Sequence, residues 1–73
     1  IEPGNLMVLE NIGAVSFLAK EYQQGIDFAG KALAINPGLT KSLNTMVNCL
    51  TATGRNEEAA SFRARLSNTG AQR

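Results

Sequence analysis

Ile1-Glu2-Pro3-Gly4 is answered 34 residues later by Ile35-Asn36-Pro37-Gly38. Held at that offset, Leu9 falls on Leu43, Phe28 on Phe62 and Ile12 on Met46. Lys31 falls on Arg65, and Gly25 on Ala59. A fixed period of this length is the mark of stacked helical units, each of which leaves an apolar face that a neighbour must cover. The implied fold class is all-α. Arrays of this kind usually work as binding scaffolds.

Working outward from the duplicated phrase, Pro3-Gly4 and Pro37-Gly38 punctuate the chain as loops. Leu6, Leu9, Ile12, Gly13, Ser16 and Phe17 follow helical spacing, with Asn5 placed to cap them. Tyr22, Ile26, Ala29, Ala32 and Leu33 form a second stripe that ends shortly before Pro37. Leu43, Met46, Val47 and Leu50 give a third, and Gly54 marks the turn after it. Ala59, Phe62 and Leu66 give a fourth; Asn56 is read as its cap, and Glu57 and Glu58 suit its positive N-terminal end. The spacing predicts helices over 6–18, 22–35, 40–52 and 56–67, with Ser67 to Arg73 as a frayed polar tail. The expected core is Leu9, Ile12, Ile26, Phe28, Leu33, Leu43, Met46, Leu50, Phe62 and Leu66. Gly25 sits inside a helix, where glycine costs about 1 kcal/mol against alanine; close approach of two helices is the reason to expect it there.

The chain has 73 residues, enough for one small unit with a thin core. Apolar residues make up 44%, which argues against disorder. A net charge of +1 draws neither nucleic acid nor an anionic membrane surface. The charge is unevenly spread. Residues 1–39 carry Lys20 and Lys31 against Glu2, Glu10, Glu21 and Asp27, a net of −2, whereas residues 40–73 net +3. The lone Cys49 forms no internal disulfide and reads as a small buried apolar side chain. No apolar run approaches the ~20 residues that span a bilayer.

The residues resemble the tetratricopeptide repeat. Counting Leu6 as the first position, Leu9 fills the large apolar fourth place, and Ile12 and Gly13 the seventh and eighth. Tyr22 fills the aromatic seventeenth, Gly25 the small twentieth, Ala32 the small twenty-seventh and Pro37 the thirty-second. In the second repeat Leu43, Met46, Leu50, Gly54 and Ala59 take the fourth, seventh, eleventh, fifteenth and twentieth places. The departures are Lys20 where glycine is usual, Val47 where a smaller residue is usual, Asn56 and Arg63 in place of aromatics, and no closing proline in the second repeat. The resemblance implies two stacked antiparallel helix pairs, a fragment of a right-handed α-solenoid. Residues 1–5 would close a preceding repeat, 6–39 form one repeat, and 40–73 a degenerate one, suited to end an array. Pentatricopeptide repeats, which read RNA, use a period of 35, and neither half here has the basic, aromatic-interleaved surface that RNA contact wants.

The chemistry of a catalytic site is missing from the sequence. With no histidine and one cysteine there is no Cys–His pair and no imidazole base or ligand. Glu57 and Glu58 are helix neighbours that point ~100° apart and do not converge on a substrate. No glycine-rich phosphate cradle is present. No cofactor and no metal is expected, and the reading points away from an enzyme. What the resemblance implies is a groove lined by the first helix of each pair: Met7, Glu10, Ala14, Phe17 and Leu18 from one repeat, and Lys41, Asn44, Asn48, Thr51 and Ala52 from the next. Phe17 and Leu18 would anchor an apolar side chain. Asn44 and Asn48, at i and i+4, would both donate to and accept from an extended peptide. The family's carboxylate clamp is unsupported, because Glu10 and Ala14 stand where its lysine and asparagine would be.

The expected function is therefore protein–protein interaction, with a protein or peptide as partner. Two other classes compete: a regulatory or substrate-docking segment of a larger enzyme, such as a protein-modifying transferase, and a module for self-association. The third arises because Ile1 to Asn5 reads as the end of a missing repeat. The first helix would then expose an apolar edge, to which Met7, Val8, Val15 and Leu18 contribute. Self-association or marginal stability is the expected consequence.

Overall fold

Asn5 does what a cap residue should: its side-chain oxygen accepts from Val8 N at 3.2 Å and α1 starts at Leu6. The computed structural model describes the backbone of residues 5–71 and the side chains of residues 5–67. Four helices fill it: α1 Leu6–Leu18, α2 Tyr22–Ile35, α3 Thr40–Ala52 and α4 Asn56–Ala71. There is no strand among the described residues. The first three match the expected spans at both ends, and α3 repeats α1 at an offset of 34 at each terminus. The protein is all-α.

Two details at the ends differ from expectation. α4 already includes Asn56, so Arg55 takes the cap position; its carbonyl accepts from Ala59 N at 3.0 Å. The polar stretch from Ser67 does not fray at once, because the helical backbone continues to Ala71, beyond the last large apolar residue. The final two positions of that expected tail lie outside the described residues. Leu39, the counterpart of Asn5, precedes α3 without a side-chain cap and instead packs against the core. Burial of a leucine there replaces a hydrogen bond.

α1 and α3 end in the same way. After α1, Glu21 N donates to Ser16 O at 2.8 Å and Lys20 N to Phe17 O at 2.9 Å, with Lys20 at φ 64°. After α3, Arg55 N donates to Leu50 O at 2.8 Å and Gly54 N to Thr51 O at 3.1 Å, with Gly54 at φ 79°. Both are left-handed terminations of the Schellman type, which favour glycine. Lysine in this conformation carries a cost of roughly 1–2 kcal/mol that glycine avoids. Lys20→Gly is therefore expected to stabilise the chain by about 1 kcal/mol after the unfolded-state entropy of glycine is subtracted, raising Tm by roughly 4–8 °C. A thermal melt with an unchanged or lower midpoint contradicts this account of the turn.

α1 packs on α2, α2 on α3, α3 on α4, and α1 also on α3, so α3 meets every other helix. The molecule is a slab of 34 × 29 × 16 Å. Its thin dimension holds no more than two layers of helices spaced about 8–10 Å apart. The core cluster joins Ala29 and Leu33 of α2 to Leu43, Met46 and Leu50 of α3 and Ala59 of α4. Ile26, Leu39, Phe62 and Leu66 pack against it.

Two residues expected in the core stay at its margin. Ile12 and Phe28 are half-buried, and the Phe28 ring lies under Lys31, whose Nζ is 4.9 Å from the ring centre. Phe62 and Arg65 repeat that arrangement at 5.1 Å, and Arg65 Nη2 also donates to Pro37 O at 3.0 Å. The interior instead uses small side chains: Ala32, Cys49, Ser16, Ser42 and Thr45 are all buried. Close helix crossings explain this preference. A Cβ built on Gly25 would lie 2.7 Å from Cys49 Sγ and 3.3 Å from Gly13 O, so α1, α2 and α3 meet there with no spare room. Ser16 Oγ ties the first pair together, donating to Ile12 O at 2.7 Å and accepting from Gln24 Nε2 at 2.9 Å.

Candidate interaction surface

The core side of α3 is set by Leu43, Met46, Val47 and Leu50, all buried. Helical geometry then places Lys41, Asn44, Asn48 and Ala52 on the opposite side, with Thr51 at its border. All five are exposed. On α1 the same rule groups Met7, Glu10, Ala14, Phe17 and Leu18. Met7 and Leu18 are exposed, Leu18 to 77%, while Glu10, Ala14 and Phe17 are half-buried.

The two rows are joined where α1 and α3 pack. Lys41 Nζ donates to Asn11 Oδ1 at 2.8 Å, a link between the helices across 30 positions of sequence. Asn11 was not among the residues expected from the sequence. Its counterpart at the 34-residue offset is Thr45, which is buried, so the repeat register carried no signal for Asn11. Asn44 and Asn48 sit one turn apart with their side chains exposed to solvent.

Phe17 serves the fold more than the surface. Its ring centre lies 5.9 Å from that of Tyr22, tilted by 47°, across the short turn between α1 and α2. Such a pair contributes about 0.5–1.5 kcal/mol beyond its buried area. Met7 and Leu18 are left as the accessible apolar side chains of this row. The face thus offers an exposed methionine and leucine on α1, two amides one turn apart and a lysine on α3, and the half-buried Glu10.

A concave region of about 420 Å³ lies elsewhere, lined by Gly54, Arg55, Asn56, Glu57 and Glu58 at the start of α4. Its main charges satisfy each other: Arg55 donates to both carboxylate oxygens of Glu58, at 3.0 and 2.9 Å. That hydrogen bond holds the Glu58 carboxyl below the usual range and raises the Arg55 guanidinium. The pair is solvent-exposed, so it does little for stability. Among the described residues no three potential ligands gather for a metal ion, and no helix is long and apolar enough to cross a membrane. Burial pushes the Cys49 thiol up, away from the thiolate form that nucleophilic chemistry requires.

No family model, curated protein or solved structure matches the chain.

Proposed function

We propose that this chain is a protein-interaction module of the tetratricopeptide-repeat type, two helix pairs of an α-solenoid that hold an extended peptide or a partner helix along the α1–α3 face. The observation that carries the reading is the row Lys41, Asn44 and Asn48, exposed on α3, in which Lys41 donates to Asn11 of α1. Exposed amides with free donors and acceptors match the needs of a peptide backbone. Leu18, exposed at the end of α1, supplies an apolar contact of the kind that dominates binding energy. The matched ends of α1 and α3, and their matched left-handed turns, support stacking of equivalent pairs. A module without chemistry of its own agrees with the lack of any histidine.

The same module could serve as the substrate-docking part of a larger enzyme; binding at the α1–α3 face is common to both roles. The test is selection of unstructured peptides from a displayed library on the folded chain, followed by affinity measurement. The Asn44→Ala/Asn48→Ala variant is expected to weaken a selected peptide about tenfold, from the loss of hydrogen bonds worth about 0.5–1.5 kcal/mol each. Both positions are exposed, so the fold should be unaffected. Peptides whose affinity is unchanged in this variant and in Leu18→Ala would overturn the reading.

A further inference from the structure

The turn after α1 carries two side chains that the fold does not use. The same left-handed turn occurs after α3, and there the chain fills the two places with Ala52 and Gly54. Glycine accepts the positive φ without strain, so the second turn meets every demand of the backbone with small residues. In the first turn the same places hold Leu18 and Lys20. Leu18 is 77% exposed, more than Met7, Val15 or Ile35. Lys20 is exposed and held at φ 64°. Among the described residues its ammonium has no hydrogen bond, ion pair or aromatic ring as partner, and Glu21 beside it forms no ion pair with it. A cation kept in a costly backbone conformation, next to a leucine left in water, is not explained by the packing of this chain. Local strain of this kind persists where a site makes use of it.

We infer that Lys20 is a specificity-determining residue of the peptide-binding face, an assignment that rests on the reading proposed above. Its ammonium receives an Asp or Glu side chain of the bound peptide, beside an apolar peptide residue that covers Leu18. Leu18 closes α1 at one end of the face, and Lys20 follows two positions later, so their Cα atoms lie within about 7 Å of each other. An extended peptide places the side chains of residues i and i+2 on one side at about the same spacing. Asn44 and Asn48 meet the backbone of a peptide whatever its sequence. Lys20 and Leu18 add a requirement on sequence, an acidic residue two positions from a large apolar one.

Parallel selections from one library of unstructured peptides test this, on the parent chain, on Lys20→Arg and on Lys20→Gly. Lys20→Arg keeps the charge; Lys20→Gly keeps the turn and removes it. The parent and Lys20→Arg are expected to enrich the acidic residue two positions from the apolar one, and Lys20→Gly the apolar residue alone. Affinities are then measured with a synthetic peptide from the parent selection, its C-terminus amidated so that the chain end supplies no carboxylate. Lys20→Gly weakens this peptide about three- to fivefold while raising Tm, the size expected of an exposed ion pair. Replacing the acidic residue of the peptide by its amide costs about the same on the parent, costs nothing further on Lys20→Gly, and loses its effect at about 1 M salt. The same peptides selected on all three proteins, or an acidic residue whose neutralisation weakens binding equally on the parent and on Lys20→Gly, would overturn the assignment. Asn44→Ala/Asn48→Ala separates it from the reading beneath it. Peptides weakened by that variant but not by Lys20→Gly leave the face standing and refute the role of Lys20. Peptides weakened by neither, or no selectable peptide at all, remove both.

Discussion

Leu43→Ala is expected to cost about 2–5 kcal/mol, which in a chain of this size is enough to unfold much of the population. Leu43 is completely buried. It lies in α3, the helix that touches all three others, and in the cluster that joins α2, α3 and α4. Truncation removes three carbons from the place where the two helix pairs meet. The surroundings are poorly suited to collapse into the gap, because Ala29 and Ala59 have no side chain to extend into it. Loss of cooperativity in urea denaturation is the expected signature, together with a midpoint shifted far toward zero denaturant. A variant that melts at the same midpoint would show that the pairs are held together elsewhere.

Gly25→Ala is expected to destabilise the chain, against helix propensity, which favours alanine by about 1 kcal/mol. The added methyl would sit 2.7 Å from Cys49 Sγ and 3.3 Å from the Gly13 carbonyl oxygen. The sulfur is on a short, buried side chain and the carbonyl belongs to a helix, so neither yields freely. Overpacking of this kind costs typically about 1–3 kcal/mol. Gly13→Ala is the control within the same crossing. Its Cβ would meet Ala29 N at 3.4 Å and Thr45 Cγ2 at 3.6 Å, which is ordinary contact. That variant is expected to be neutral or more stable by up to about 1 kcal/mol. A double-mutant cycle of Gly25→Ala with Cys49→Ala isolates the clash, and a favourable coupling of about 1 kcal/mol is expected. If Gly25→Ala proves as stable as the parent, the close crossing is not what selects glycine.

Much of this architecture was legible in the sequence because it is written twice. The Ile-x-Pro-Gly phrase, the apolar stripes and the cap at Asn5 located the first three helices at both ends. Gly25 announced the close crossing, since glycine inside a helix has few other reasons to be there. The far end of α4 was not legible, because Ser67 and the residues after it lack the apolar periodicity by which helices are read. Core membership was harder than helix placement. Phe28 has the hydrophobicity of a core residue but lies at the margin under Lys31, while Ala32, Ser42 and Thr45 are buried because helix crossings admit only small groups. On the candidate surface, exposure of Asn44 and Asn48 followed from the position of Leu43 and Leu50 on the same helix. The Lys41–Asn11 link did not follow, since it joins different helices whose relative placement no local pattern specifies. Phe17 shows the same limit: its spacing put it on the apolar stripe of α1 and the resemblance put it on the surface row, and its ring pairs with Tyr22 across the turn.

The claim that the α1–α3 face binds polypeptide is tested most directly by mapping backbone amide chemical shifts of the isotope-labelled chain as a library-selected peptide is added. The account predicts that saturable shifts concentrate at Glu10, Ala14, Leu18, Asn44, Asn48 and Thr51, with α4 at Glu57 and Ala60 unmoved. Saturable shifts confined to α2 and α4, with the amides of Asn44 and Asn48 unchanged, would contradict it.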